Sequence, residues 1–222
     1  MARKYVLCLH GYAMNPQWLQ EWLAPVQQQI TGDVEFVYPR APIVVPSDEI
    51  TRLMKSFGTA VPEHRIGENI NWCWFRSTDS NPPVYCDIER SIEQLSALGD
   101  SLGHIDGVIG WSQGTVMAMV LIGQMLSEAE VKFNFKWAVL AGGFLPRDNR
   151  FQSYYERELS LPSLHVLGEN EVDFMKQRGQ KLYQSFRLAD RLDTPVAHTL
   201  PVRHPEKMRA IAEWIQFQLN KN

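Results

Sequence analysis

The chain has 222 residues, of which 45% are hydrophobic and 21% charged, with a formal net charge of −3. This is the profile of one ordinary globular domain with a sizeable core. It offers no basic stripe for nucleic acid or an anionic membrane. No apolar run approaches the roughly 20 residues that cross a bilayer.

At the N-terminus, Met1-Ala2-Arg3-Lys4 precedes an apolar run of only residues 5–9, shorter than the core of about 7–15 residues that a secretory signal needs. The sequence YVLCLH (5–10) therefore predicts a buried first strand, ended by Gly11. Over 16–30, Trp18, Leu19, Trp22, Leu23, Val26 and Ile30 recur at helical spacing behind Pro16, which is placed to open a helix. VEFVY (34–38) predicts a second strand, stopped by Pro39.

The segment 41–84 is proline-punctuated and irregular, with an aromatic knot at Trp72, Trp74 and Phe75. It reads as a pocket-forming insertion. An amphipathic helix is expected over 87–102, a strand over 105–110 and a long apolar helix over 113–126. Strands follow over 137–140 and 163–167, then a helix carrying Phe174, Leu182, Tyr183 and Phe186. A last strand is expected over 196–200 and a closing helix over 206–219, with Met208, Ile211, Ala212, Ile215 and Leu219 facing inward.

Strands apolar on both faces and separated by helices predict an α/β fold in one domain, with a mostly parallel sheet of about six strands covered on both sides. Sites in such sheets form at the carboxyl ends of the strands. The three cysteines, Cys8, Cys73 and Cys86, are too few and too widely spaced for a disulfide framework or a zinc cluster. They point to a reducing, cytoplasmic setting. Nothing in the pattern calls for a metal or an organic cofactor.

The chemistry centres on Gly110-Trp111-Ser112-Gln113-Gly114. A Gly-x-Ser-x-Gly between a predicted strand and a predicted helix has the context of a nucleophile elbow, and Ser112 is the candidate nucleophile. A helix-capping serine is the plainer alternative. A serine hydroxyl needs a base within hydrogen-bond reach and a group to orient that base. Of the six histidines, His10 precedes the serine, His64 lies in the irregular segment, His104 begins a strand and His165 lies inside one. His198 falls within the expected last strand, whereas His204 lies just past it, so His204 is the preferred base. For the acid, Gly168-Glu169-Asn170-Glu171-Val172-Asp173 offers Glu171 first and Asp173 in reserve. The oxyanion donors expected are the N–H of Gln113 and, from the loop after the first strand, the N–H of Tyr12.

With these residues in place the chain resembles the fungal FSH family of serine hydrolases, which have the α/β-hydrolase fold. Leu7-Cys8-Leu9-His10-Gly11-Tyr12 is similar to that family's opening motif, and Tyr38-Pro39-Arg40-Ala41-Pro42 to its second-strand turn. Asn71-Trp72-Cys73-Trp74-Phe75 is similar to its tryptophan-rich stretch, and the elbow and Ser163-Leu164-His165-Val166-Leu167-Gly168-Glu169 also match. Two positions depart: Glu171 stands where the family has Asp, and Val202-Arg203-His204 where it usually has Gly-Gly-His. The resemblance implies an esterase. The activity expected is cleavage of a carboxylic ester or thioester of a small acyl substrate, with Trp72, Trp74 and Phe75 as candidate pocket walls. A catalytically weak binding module, or a peptidase or acyltransferase on the same residues, are the alternatives.

Overall fold

The computed structural model describes residues 3–46, 49, 71–127 and 133–221. The remainder of the expected insertion, residues 47–48 and 50–70, lies outside them. The central sheet has six strands: β1 (Lys4–Leu9), β2 (Val34–Val37), β7 (Gly107–Trp111), β8 (Trp137–Ala141), β9 (Ser163–Gly168) and β10 (Ala189–Thr194). Their spatial order is β10-β9-β8-β7-β1-β2, and every neighbouring pair is parallel. Four short strands, β3 (Ile43–Val45), β4 (Asn71–Cys73), β5 (Arg76–Ser77) and β6 (Tyr85–Cys86), form two antiparallel ribbons beside it.

The two-residue alternation of a strand sorts side chains onto the two faces of the sheet. Leu7, Leu9, Val108, Ala138 and Leu140 join one buried cluster with helices α2 (Ile88–Leu102) and α3 (Gln113–Ser127). Val6, Cys8, Ile109, Trp137 and Val139 join the other, with α1 (Pro16–Gln27) and α5 (Pro205–Asn220). Helix α4 (Asp173–Gln184) contributes Leu182 to the first cluster. Helix α3 is buried continuously from Gln113 to Gly123, as its apolar composition on all sides requires. The start of α1 is equally local in origin: Asn15 Oδ1 accepts from the Gln17 N–H at 2.9 Å, and Pro16 fills the first turn.

The last strand departs from expectation. Residues 196–200 are not a strand; β10 is Ala189–Thr194, ADRLDT. It pairs only with β9, at the edge of the sheet, so half its surface faces water. An edge strand tolerates Asp190, Arg191 and Asp193 where a central strand would not. Residues 196–200, VAHTL, sit between Pro195 and Pro201, which cannot donate to a sheet ladder.

His165 sits in β9 with no exposed surface. Its Nε2 is 3.0 Å from Ser163 Oγ, and the rings of Tyr183 and Phe186 meet it edge-on. Burial pushes its pKa down to about 3. The folded state therefore holds it neutral, while the unfolded chain takes up a proton below about pH 6.5. Stability tied to this residue is full above that pH and is lost as the pH falls towards 3. Urea unfolding at pH 7 and pH 5 is expected to show a loss of about 2 kcal/mol from His165. His165→Leu should remove that share of the dependence and leave the share of the buried His10, whose pKa is also pushed down by burial; an unchanged slope would refute it.

Candidate active site

The site is built where β7 turns into α3. Ser112 has φ +54, a left-handed conformation that costs a non-glycine residue on the order of 1–3 kcal/mol. It is held there by its own N–H donating to Ala141 O (2.9 Å) and by its carbonyl accepting from the Thr115 N–H (3.0 Å). The turn is possible only because α3 packs directly on the end of β1: a Cβ on Gly114 would stand 1.9 Å from Leu9 O and 2.7 Å from His10 O. The strand end that carries the expected oxyanion loop and the helix start that carries Ser112 are thereby in backbone contact. Ala13, in that loop, is the second strained non-glycine residue here, with φ +50.

Ser112 Oγ lies 2.8 Å from His198 Nε2, and His198 Nδ1 lies 2.6 Å from Glu171 Oε1. A carboxylate only accepts, so the proton sits on Nδ1 and the Nε2 lone pair faces the serine hydroxyl. The Glu171 side chain is 7% exposed and that of His198 30%. The Trp111 ring packs against the imidazole (centroids 5.3 Å apart) and is met edge-on by Trp22.

The expected base is thus displaced: His198, not His204, stands against Ser112. His204 caps α5, with its Nδ1 3.6 Å from Glu206 Oε1, and Arg203 beside it is exposed. His198 rides on the loop after β10 because that strand ends at Thr194, earlier than the apolar pattern suggests. Pro195 and Pro201, bracketing the segment, were the available signal. Glu171 lies where expected; Asp173 is exposed at the first residue of α4.

The acid and base loops are tied to each other by backbone. Glu169 N–H donates to Thr194 O (2.8 Å) and Asn170 N–H to Val196 O (3.1 Å). Asn170 Nδ2 donates to Pro195 O (3.2 Å). Gly168 permits this approach, since a Cβ there would be 2.6 Å from Val196 O.

Gln113 opens α3, where backbone N–H groups lack intrahelical acceptors. Its side chain is structural: Oε1 accepts from the Trp74 N–H and Nε2 donates to Phe75 O, both at 2.8 Å. Trp74 Nε1 donates to His10 O (2.8 Å), and His10, fully buried, has Nδ1 2.8 Å from Gly11 O and accepts from the Ala41 N–H at Nε2. Burial pushes the His10 pKa down to about 4, keeping it neutral. The Tyr12 hydroxyl donates to Glu49.

Two of the expected pocket walls are therefore interior. Trp74 is 0% and Phe75 4% exposed, both packed in the core below the elbow. Trp72 is partly exposed under the Arg40 guanidinium. A cavity of about 600 Å³ opens instead on the far side of Glu171, between Gly142, Gly168, Met175, Arg191 and Asp193. Ser112, Trp72, Trp74 and Phe75 are not on its walls.

A parallel six-stranded sheet whose interior strand turns through a strained serine into a buried helix is the framework of the α/β-hydrolases, and this chain is a serine hydrolase of that fold. The sequence pattern of the family described as "Serine hydrolase (FSH1)" matches residues 1–210, and the chain belongs to that family. The human protein named Esterase OVCA2 is 28% identical over 222 residues, spanning 96% of this chain and 96% of its own. Hydrolase FUB4 of Fusarium oxysporum f. sp. lycopersici is 31% identical over 219 residues, spanning 91% of this chain and 75% of that one. Among solved structures, a carboxylesterase from Mesorhizobium loti superposes with a TM-score of 0.63 over 97% of this chain and 89% of that one. At 15% identity that likeness speaks for the fold alone.

The Gln113 bridge carries its own expectation. Gln113→Ala leaves the Trp74 N–H and the Phe75 carbonyl buried without partners, at about 1–3 kcal/mol each. Chemical denaturation should show a loss in that range or above, and a variant as stable as the parent would count against the bridge.

Proposed function

We propose that the protein hydrolyses a carboxylic ester or thioester of a small acyl substrate through an acyl-enzyme on Ser112. The observation that carries this reading is the bonded series Ser112 Oγ, His198 Nε2, His198 Nδ1, Glu171 Oε1, at 2.8 and 2.6 Å. The names of the relatives, an esterase and a hydrolase, support the same class of reaction.

In the first step Ser112 Oγ attacks the acyl carbonyl carbon while its proton passes to His198 Nε2. Glu171 holds the imidazole in the tautomer that can accept it and stabilises the imidazolium that forms. The carbonyl oxygen, now an oxyanion, is received by the Gln113 and Tyr12 N–H groups, beside the positive end of the α3 dipole. The tetrahedral adduct collapses by expelling the alcohol or thiol, which takes the proton from His198. Water then attacks the acyl-serine with His198 again as base, releasing the carboxylic acid and restoring Ser112. The left-handed Ser112 backbone presents Oγ above the sheet, so no side-chain rearrangement is required before attack.

Substitutions test the assignment directly. Ser112→Ala and His198→Ala should each lower ester turnover by at least about a thousandfold, and Glu171→Gln by about a hundredfold or more. His204→Ala, at the N-cap of α5 beside Glu206, should leave turnover close to the parent value. A fluorophosphonate probe should label Ser112 in the parent protein and fail to label the His198 variant. Full activity in His198→Ala with loss in His204→Ala would reverse the assignment of the base.

A further inference from the structure

Among the described residues, one half-buried cation near this site forms no ion pair. Arg178, one turn into α4, is held between two aromatic rings, 5.2 Å from the centroid of Phe144 and 5.1 Å from that of Phe174. Contact with both rings restrains the guanidinium, whose N–H groups suit a ligand's oxygen atoms. Among the described residues neither Arg178 nor Arg147 forms an ion pair. The nearby carboxylate of Asp148 is already committed: it accepts from the Tyr85 N–H and pairs with Arg150 at 2.7 Å.

Two paths of contact tie these arginines to the reacting groups. From the base, Gly142 lies against the His198 ring, where a Cβ would be 3.5 Å away, and Phe144 follows two residues later. From the nucleophile, the Gln113 side chain holds Phe75 O, Phe75 stacks on Tyr85 at 4.0 Å, and the Tyr85 hydroxyl accepts from the Arg147 N–H at 2.8 Å. Arg147 lies in the loop that leaves β8 and Arg178 in the helix that follows β9, so both belong to elements at the carboxyl end of the sheet, the end that carries Ser112, His198 and Glu171. Burial, and then the like charge of Arg147, push the Arg178 pKa down.

We infer that Arg178 and Arg147 form a specificity subsite for a carboxylate on the acyl substrate, so that the favoured esters are half-esters of dicarboxylic acids. The planar, stacked guanidinium of Arg178 suits a carboxylate in a forked pair of hydrogen bonds, and the flanking rings of Phe144 and Phe174 suit the methylene chain that leads to it. The inference rests on the hydrolase reading above and names its substrate class.

The test compares kcat/KM for the p-nitrophenyl half-ester of adipic acid with that for p-nitrophenyl hexanoate, which has the same chain length without the charge. In the parent protein the ratio should favour the half-ester by about tenfold or more, the worth of one charged hydrogen bond. Arg178→Gln should lower that ratio about tenfold, Arg178→Lys less, and Arg147→Gln, an exposed position that folding should tolerate, by an intermediate factor. Calorimetric titration of adipate into Ser112→Ala protein, with and without Arg178→Gln, reads the same site without turnover. A parent ratio at or below one, or a ratio unmoved by both arginine substitutions while hexanoate is still hydrolysed, overturns the carboxylate subsite and leaves the hydrolase reading standing. Failure to hydrolyse either ester, with adipate bound in an Arg178-dependent way, overturns the hydrolase reading and supports the subsite.

Discussion

The structure depends on one close approach, that of the first turn of α3 to the carboxyl end of β1. Any side chain at Gly114 would strike the Leu9 carbonyl, so the contact is backbone against backbone. It forces the chain leaving β7 through a left-handed residue, and that residue is Ser112. The same contact sets the Gln113 N–H beside the loop after β1. One steric constraint therefore positions the nucleophile, strains it and assembles the walls around it. The bonds of Gln113 to Trp74 and Phe75, and of Trp74 to His10 O, lock the arrangement from below. Their role is to hold the aromatic stretch in the core, which is why residues with the look of pocket walls are interior supports.

The other half of the site is assembled by a different device. The loops after β9 and β10 are neighbours because the strands are, and three hydrogen bonds from Glu169 and Asn170 to residues 194–196 join them. Glu171 and His198 are therefore set relative to each other before either meets the serine. Trp111, inside the elbow motif, packs against the imidazole, so the two halves meet through an aromatic contact as well as through the Ser112–His198 hydrogen bond. Catalytic groups from three loops then depend on little local flexibility. The unpaired arginines on the adjoining loop and helix extend the same rim from chemistry to selection.

Much of this was legible in the sequence because it follows from local rules. Short apolar runs in YVLCLH and WAVLA, helical spacing behind Pro16, and glycines bracketing a serine between a strand and a helix all report the conformation of the residues that carry them. The α/β order, the elbow and the place of Glu171 follow from patterns a few residues long. The histidine that stands against Ser112 did not, because its position turns on which of two segments is the last strand. Residues 196–200, VAHTL, carry no charged residue and read as a strand, whereas ADRLDT reads as surface. The real strand is polar because it lies at the edge of the sheet, and edge position is a property of the assembled sheet rather than of six residues.

The sequence by itself determined the fold class and singled out Ser112 and Glu171 as candidates, since each is marked by short-range periodicity or by a glycine-bracketed turn. The tertiary structure alone decided which histidine meets Ser112 and which aromatic residues are buried. It also decided which arginines, among the described residues, form no ion pair. These are pairings between residues up to 86 positions apart. They are fixed by strand order, by loop-to-loop hydrogen bonds and by the competition of many side chains for the same space, none of which is written at any one place along the chain.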